Sequence, residues 1–134
     1  MIKDIEFPKI TDVALAIVPE TNDLGVEEWS VFIINSKAQE IYGVLVNSKG
    51  YGKIDEKEKE TTVMRHFFEK IPPKSFQKIE HIQEDLFQLT NEFWVSFYHM
   101  GKLYDKKYIF LADTVEEKNF TTIPLIDKKG VLHP

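Results

Sequence analysis

The residue types that could carry chemistry are few and scattered in this chain. There are four histidines, His66, His81, His99 and His133, and no two stand at HxH or HxxxH spacing. Those spacings would set two imidazoles on one side of a strand or helix, and zinc needs three or four convergent ligands. No metal and no cofactor are therefore expected. The chain has no cysteine, which removes disulfides, thiolate ligands and cysteine nucleophiles. It has no GxSxG element, and its serines, histidines and aspartates lack a recognisable nucleophile context. Asn119-Phe120-Thr121 fits a glycosylation acceptor, but without a secretion signal the match carries no weight.

Arg65-His66 is the one pair that invites a site. Arg65 is the only arginine among seventeen basic residues. A guanidinium offers a planar fork to a carboxylate or other anion, and an imidazole adds a titratable donor. A salt bridge to one of the many carboxylates beside an exposed imidazole is the plainer account. The glycine-containing stretch Ser48-Lys49-Gly50-Tyr51-Gly52-Lys53 is short of the GxxxxGK[ST] spacing that cradles phosphate. Two glycines around a tyrosine more often mark a strand end or bulge. Tyr51 between Lys49 and Lys53 is better read as a partner contact. Tyr104-Asp105-Lys106-Lys107-Tyr108 could be taken as acid, base and phenol. Strand alternation separates them, with Tyr104, Lys106 and Tyr108 on one face and Asp105 and Lys107 on the other. Lysine stems covering aromatic rings account for that stretch.

The elements that must position these residues centre on Asn91 to Ala112, NEFWVSFYHMGKLYDKKYIFLA. It holds seven aromatics in twenty-two positions: Phe93, Trp94, Phe97, Tyr98, Tyr104, Tyr108 and Phe110. It reads as two strands joined by a tight turn at Met100-Gly101-Lys102. Alternation puts Trp94, Ser96 and Tyr98 on one face and Phe93, Val95 and Phe97 on the other. One face is core, and the other is then an exposed aromatic patch of the kind that meets a partner or ligand, unless loops cover it.

Upstream, Val13 to Val18 is a short apolar run suited to a buried strand, stopped by Pro19. Trp29 to Asn35 and Ile41 to Ser48 follow, and Asn35-Ser36-Lys37 between them predicts a hairpin. Gly50, Gly52 and the charged run Asp55 to Glu60 predict a mobile loop. Thr61 to Ile71 is two-sided. Met64, Phe67, Phe68 and Ile71 have the spacing of a helical face, whereas Thr61, Thr62 and Val63 favour a strand. Pro72-Pro73 ends that element. Ser75 to Ile82 fits a surface strand. Glu84 to Thr90 fits a short helical turn with Leu86, Phe87 and Leu89 plugging the core. Phe120 to Ile126 is a last extended segment, confined to an edge by Pro124.

One domain over residues 1–134 suits the length. Strand starts at Val13, Trp29, Ile41, Val63, Ser75, Phe93 and Tyr104 predict a mostly β fold, an antiparallel immunoglobulin-like β-sandwich of about seven strands. The alternative is α+β, with one helix at about 62–71 on an antiparallel sheet. The formal charge of −5 and the near absence of arginine argue against nucleic acid. No apolar run approaches the ~20 residues of a membrane span. MIKDIEFPKI does not resemble a signal peptide, so no membrane and a cytoplasmic setting are expected.

The combination WSVFIIN, SKGYG, NEFWVSFY, YDKKYIF, FTTIPLI and KKGVLHP resembles a small uncharacterised protein family of Bacteroidetes-type bacteria. That resemblance covers nearly the whole chain and implies no activity and no catalytic residue. The function expected from the residues is a non-enzymatic binding or protein-interaction module, using an aromatic-rich sheet face toward an unknown protein partner or a second copy. Trp94, Tyr98 and Tyr51 are its expected contacts. The alternative is an enzyme or small-molecule binder with an anion or carboxylate pocket near Arg65 and His66.

Overall fold

The computed structural model describes residues 10–134. Pro8 opposes a helix, so the sequence predicts an extended lead-in from Met1 to Thr11, which lies outside the described residues apart from Ile10 and Thr11.

The described chain is mostly β, in two five-stranded antiparallel sheets. The strands are β1 (Val13–Thr21), β2 (Glu27–Asn35), β3 (Ile41–Ile54), β4 (Lys57–Glu60), β5 (Met64–Ile71), β6 (Ser75–Ile82), β7 (Thr90–His99), β8 (Lys102–Phe110), β9 (Thr121–Thr122) and β10 (Lys129–His133). The first sheet runs β6-β2-β1-β10-β9. In the second, β3 pairs β7 on one edge, β8 follows β7, and β4 and β5 share the other edge of β3. No α-helix occurs among the described residues, only two 3-10 turns at Glu84–Gln88 and Glu117–Asn119. Residues 64–71 are therefore strand, and the α+β alternative is corrected. The helical spacing there is a coincidence of an edge strand, in which Met64 and Phe67 are exposed while Ile71 is buried.

Local chemistry makes the turns. Met100 and Gly101 both have positive φ, as do Asp55 and Glu56, so two-residue turns close the β7–β8 and β3–β4 hairpins. The expected mobile loop at 55–60 thus contains β4, a strand of four exposed charged residues that a sequence pattern does not reveal. Asn22 shapes the β1–β2 connection, its Oδ1 accepting from the Leu24 and Val26 N–H groups at 2.9 and 3.0 Å.

The expected β2–β3 hairpin is corrected as well. β2 pairs β1 and β6, whereas β3 pairs β4, β5 and β7, so the chain changes sheets after Asn35. Asn35 is fully buried and organises that crossing. Its Nδ2 donates to the carbonyls of Gln39, Ile71 and Pro72, and its Oδ1 accepts from the Lys37 N–H. One side chain thereby ties the β2–β3 crossing to the β5–β6 crossing.

One buried cluster draws on both sheets: Leu15, Ile17, Val31 and Ile33 from the first, Val44, Val46, Phe93, Val95, Phe97 and Tyr108 from the second. Phe87 joins it from the 3-10 turn, as its sequence suggests. Tyr108 has no exposed surface and its hydroxyl donates to the Val13 carbonyl at 2.6 Å, bridging the sheets. Burial pushes its phenol well above the usual tyrosine range. A second, smaller cluster lies on the outer side of the first sheet. There Ala16, Val18, Phe32 and Ile34 are covered by Ile123, with Ile126 and Leu132 packed around it. β10 brings that covering in by a close approach at Gly130, where a Cβ would collide with the Ile17 carbonyl oxygen.

Candidate interaction surface

Alternation along β7 settles which face is core. Phe93, Val95 and Phe97 are buried, and Trp94 and Tyr98 point outward. The register then builds the outer face of the second sheet row by row. Tyr42 of β3 lies beside Tyr98, which lies beside Leu103 of β8. Phe67 of β5 lies beside Leu45, then Ser96, then Asp105. Arg65 lies beside Asn47, then Trp94, then Lys107. Tyr42, Leu45, Phe67, Trp94, Tyr98 and Leu103 are all exposed, Phe67 to 66% and Trp94 to 43%. Cross-strand neighbours on one sheet face are within contact range, so these side chains form one patch rather than isolated exposures.

The patch has internal order. The Tyr42 and Tyr98 rings stack 5.7 Å apart with planes 17° from parallel, and the Tyr42 hydroxyl accepts from the Gly101 N–H at 3.2 Å. Trp94 is held from β8. Its indole N–H donates to Asp105, and the Lys107 ammonium stands 4.5 Å from its ring centroid. Two shallow recesses flank it. One, of about 370 Å³, is lined by Asn47, Trp94, Ser96, Leu103 and Asp105. The other, of about 190 Å³, includes Val63, Glu92 and Lys107. Asn47 Oδ1 is buried beside Trp94 without a hydrogen-bond partner among the described residues. A buried acceptor left unpaired is costly.

Among the residues singled out from sequence, Trp94, Tyr98 and Arg65 share this face. Tyr51 has the same parity on β3 but sits at the far end, beside Thr90, with the Lys49 ammonium 5.7 Å from its ring centroid. His66 does not join them. Arg65 and His66 are consecutive in a strand and point to opposite sides, so the structure does not bring this pair into one anion site. Ser48–Lys53 is continuous strand within β3, without a phosphate cradle. Lysine ammonium groups stand over rings, Lys107 over Trp94 and Lys106 over the buried Tyr108 at 4.6 Å. Tyr42, Leu45, Phe67 and Leu103 are not among the contacts expected from sequence. Their signal is the pairing register, which places residues distant in sequence beside Trp94 and Tyr98.

His66 instead faces Glu80 of β6. Its Nε2 is 3.0 Å from Glu80 Oε1, and the Ser48 hydroxyl donates to the same oxygen at 2.7 Å. The Glu80 side chain is only 10% exposed. Sequence alternation in β6 does not single out this carboxylate, because a bulge opposite Val31–Phe32 shifts the register just before it. Around His99, burial and the nearby Lys37 ammonium both lower the imidazole from its usual value, and its Nε2 lies 3.1 Å from Gln39 Oε1.

Among the described residues no three His, Asp or Glu side chains stand together as a metal site, and no helix is long and apolar enough to cross a membrane. Compared with known proteins, the chain matches no family model, no curated protein and no solved structure.

Proposed function

We propose that this chain is a non-enzymatic protein-interaction module whose contact surface is the outer face of the β8-β7-β3-β5 sheet. The observation that carries the proposal is the contiguous exposed patch of Tyr42, Leu45, Phe67, Trp94, Tyr98 and Leu103. Aromatic anchors with arginine at their edge are the composition of interaction hot spots, and Arg65 supplies that edge. An unknown protein partner or a second copy of the chain fits this surface, in an intracellular setting.

The architecture proposed to display the face is an immunoglobulin-like sandwich. Its support is the connectivity. With β1, β2 and β6 read as strands A, B and E, and β3, β5, β7 and β8 as C, C′, F and G, the order becomes A-B-E against C′-C-F-G. β10 and β9 extend the first layer beyond A, and β4 continues the edge begun by β5.

The test is a photo-crosslinking amino acid placed at Tyr98 in cells, with Glu28, an exposed residue of the first sheet, as the control position. The expected result is a discrete adduct from position 98 alone, at twice the chain's mass for self-association or at another fixed mass for a partner. No adduct from position 98, or the same adducts from both positions, would overturn the proposal.

A further inference from the structure

Between the sheets, where β3 and β5 meet β6, lies a recess of about 150 Å³. At ~30 Å³ per water it has room for about five water volumes, too many for one bridging water and few enough to exclude a large ligand. Its apolar wall includes Leu86 and Phe93, and its polar wall includes Ser48, Thr61, Glu80 and Asn91.

The polar wall is one-sided. Glu80 Oε1 takes both the Ser48 hydroxyl and the His66 contact, leaving Oε2 without a partner among the described residues. Asn91 turns its amide nitrogen to the carbonyls of Leu86 and Leu89, at 2.9 and 3.2 Å, so its Oδ1 is turned the other way, toward Gly50. The Thr61 hydroxyl proton goes to the Thr62 carbonyl, and its oxygen already accepts from the Gly50 N–H. Lys49 also borders the recess, but its ammonium stands over the Tyr51 ring. The buried part of the wall, Ser48, Glu80 and Asn91, therefore offers acceptors, one of them a carboxylate nine-tenths buried, while the lining donors, the Thr62 hydroxyl and the Lys49 ammonium, belong to exposed and half-buried residues. Gly50 keeps the space open. A Cβ there would stand 3.1 Å from Asn91 Oδ1 and 3.2 Å from Thr61 Cγ2.

Acceptors beside an apolar wall call for a donor-rich head on a short apolar stem. We propose that this recess binds a primary alkylammonium group, either a small free amine or the tip of a lysine side chain. The site is separate from the outer face and stands independently of the interaction reading. It also reverses the ligand charge that Arg65 and His66 suggest in sequence, because a carboxylate rather than a guanidinium lines the recess.

The test is a titration of the ¹⁵N-labelled full chain followed by heteronuclear NMR. The probes are n-butylammonium chloride, n-butanol, sodium butyrate, tetramethylammonium chloride and Nα-acetyl-lysine N-methylamide, against sodium chloride at equal ionic strength. The expected result is a saturable shift of the Gly50 amide and the Asn91 side-chain amide with n-butylammonium. Butanol, which lacks the charge, and tetramethylammonium, which lacks the N–H donors, should bind about tenfold or more weakly, the change one charge-assisted hydrogen bond carries. Glu80→Gln should weaken the amine by a similar factor, and Gly50→Ala should abolish the shifts. Tighter binding of the capped lysine than of butylammonium assigns the site to a lysine side chain, and the reverse assigns it to a free amine. Equal binding of butanol and butylammonium, absence of any saturable shift, or shifts unchanged in Gly50→Ala would overturn the proposal. The comparison among probes needs no substitution, so it decides the matter even where Glu80→Gln fails to fold.

Discussion

The two outer faces of this molecule are treated in opposite ways. On the first sheet, the apolar outer residues Ala16, Val18, Phe32 and Ile34 are sealed by Ile123 and its neighbours from the segment around β9 and β10. On the second, Tyr42, Leu45, Phe67, Trp94, Tyr98 and Leu103 stay in contact with solvent. Among the described residues most of one apolar sheet face is covered and the other is open, with Phe76 at the β6 edge the exposed exception on the covered side. The open face is also diluted with charge. Arg65, Lys107 and Asp105 are interspersed among its rings, which keeps an exposed patch compatible with solubility. The covered face carries stability, and the open one is left available for contact.

The largest expected effect is at the seal. Ile123→Ala should cost about 2–5 kcal/mol in urea denaturation, the range for truncating a fully buried isoleucine. Gly130→Ala should cost about 1–3 kcal/mol by overpacking β10 against β1, and the amides of β10 should lose hydrogen-exchange protection. A residue of neither outer face calibrates the scale. Tyr108→Phe should cost about 1 kcal/mol by removing the donor to Val13. The raised folded-state pKa of Tyr108 also has a pH signature. Its stabilisation is fully present below the unfolded tyrosine value of about 10 and is lost as pH rises above it, because the unfolded chain ionises first. Unfolding midpoints measured above that pH should fall less steeply in Tyr108→Phe than in the parent.

The smallest effect belongs to the open face. Phe67→Ser and Trp94→Ala should each change monomer stability by about 0.5 kcal/mol or less, as surface substitutions do. A loss there as large as that of Ile123→Ala would break the comparison and make the second face structural.

Much of this was legible in sequence because it is local. β1, β3 and β6 begin at the residues that the apolar runs mark, and β2, β5, β7 and β8 within three residues of them. The alternation of Phe93, Val95 and Phe97 against Trp94 and Tyr98 is plain from the period of two, and burial then selects the core side. What stayed hidden is non-local. Asn35-Ser36-Lys37 carries turn chemistry whether the next strand returns beside β2 or leaves for the other sheet, and only the buried contacts of Asn35 distinguish the two. β4 exists because β3 offers it an edge, since no residue of Lys57–Glu60 buries an apolar side chain. The open face is half legible. Trp94 and Tyr98 declare themselves, but Phe67 and Leu45 become their neighbours through pairings that no short window contains.

The pairing of β1 with β10 has a consequence in time. β1 carries the apolar run Val13–Val18, and one of its edges is filled by Val131, Leu132 and His133. A ribosome adds about 5–20 residues per second, so that edge waits roughly 5–20 s after β1 emerges before its partner exists. Throughout that interval the nascent chain presents an apolar strand with unpaired hydrogen-bonding groups, the form most prone to join another chain. The position of β10 predicts chaperone dependence during synthesis, which should ease in a rearranged chain that places the two strands next to each other.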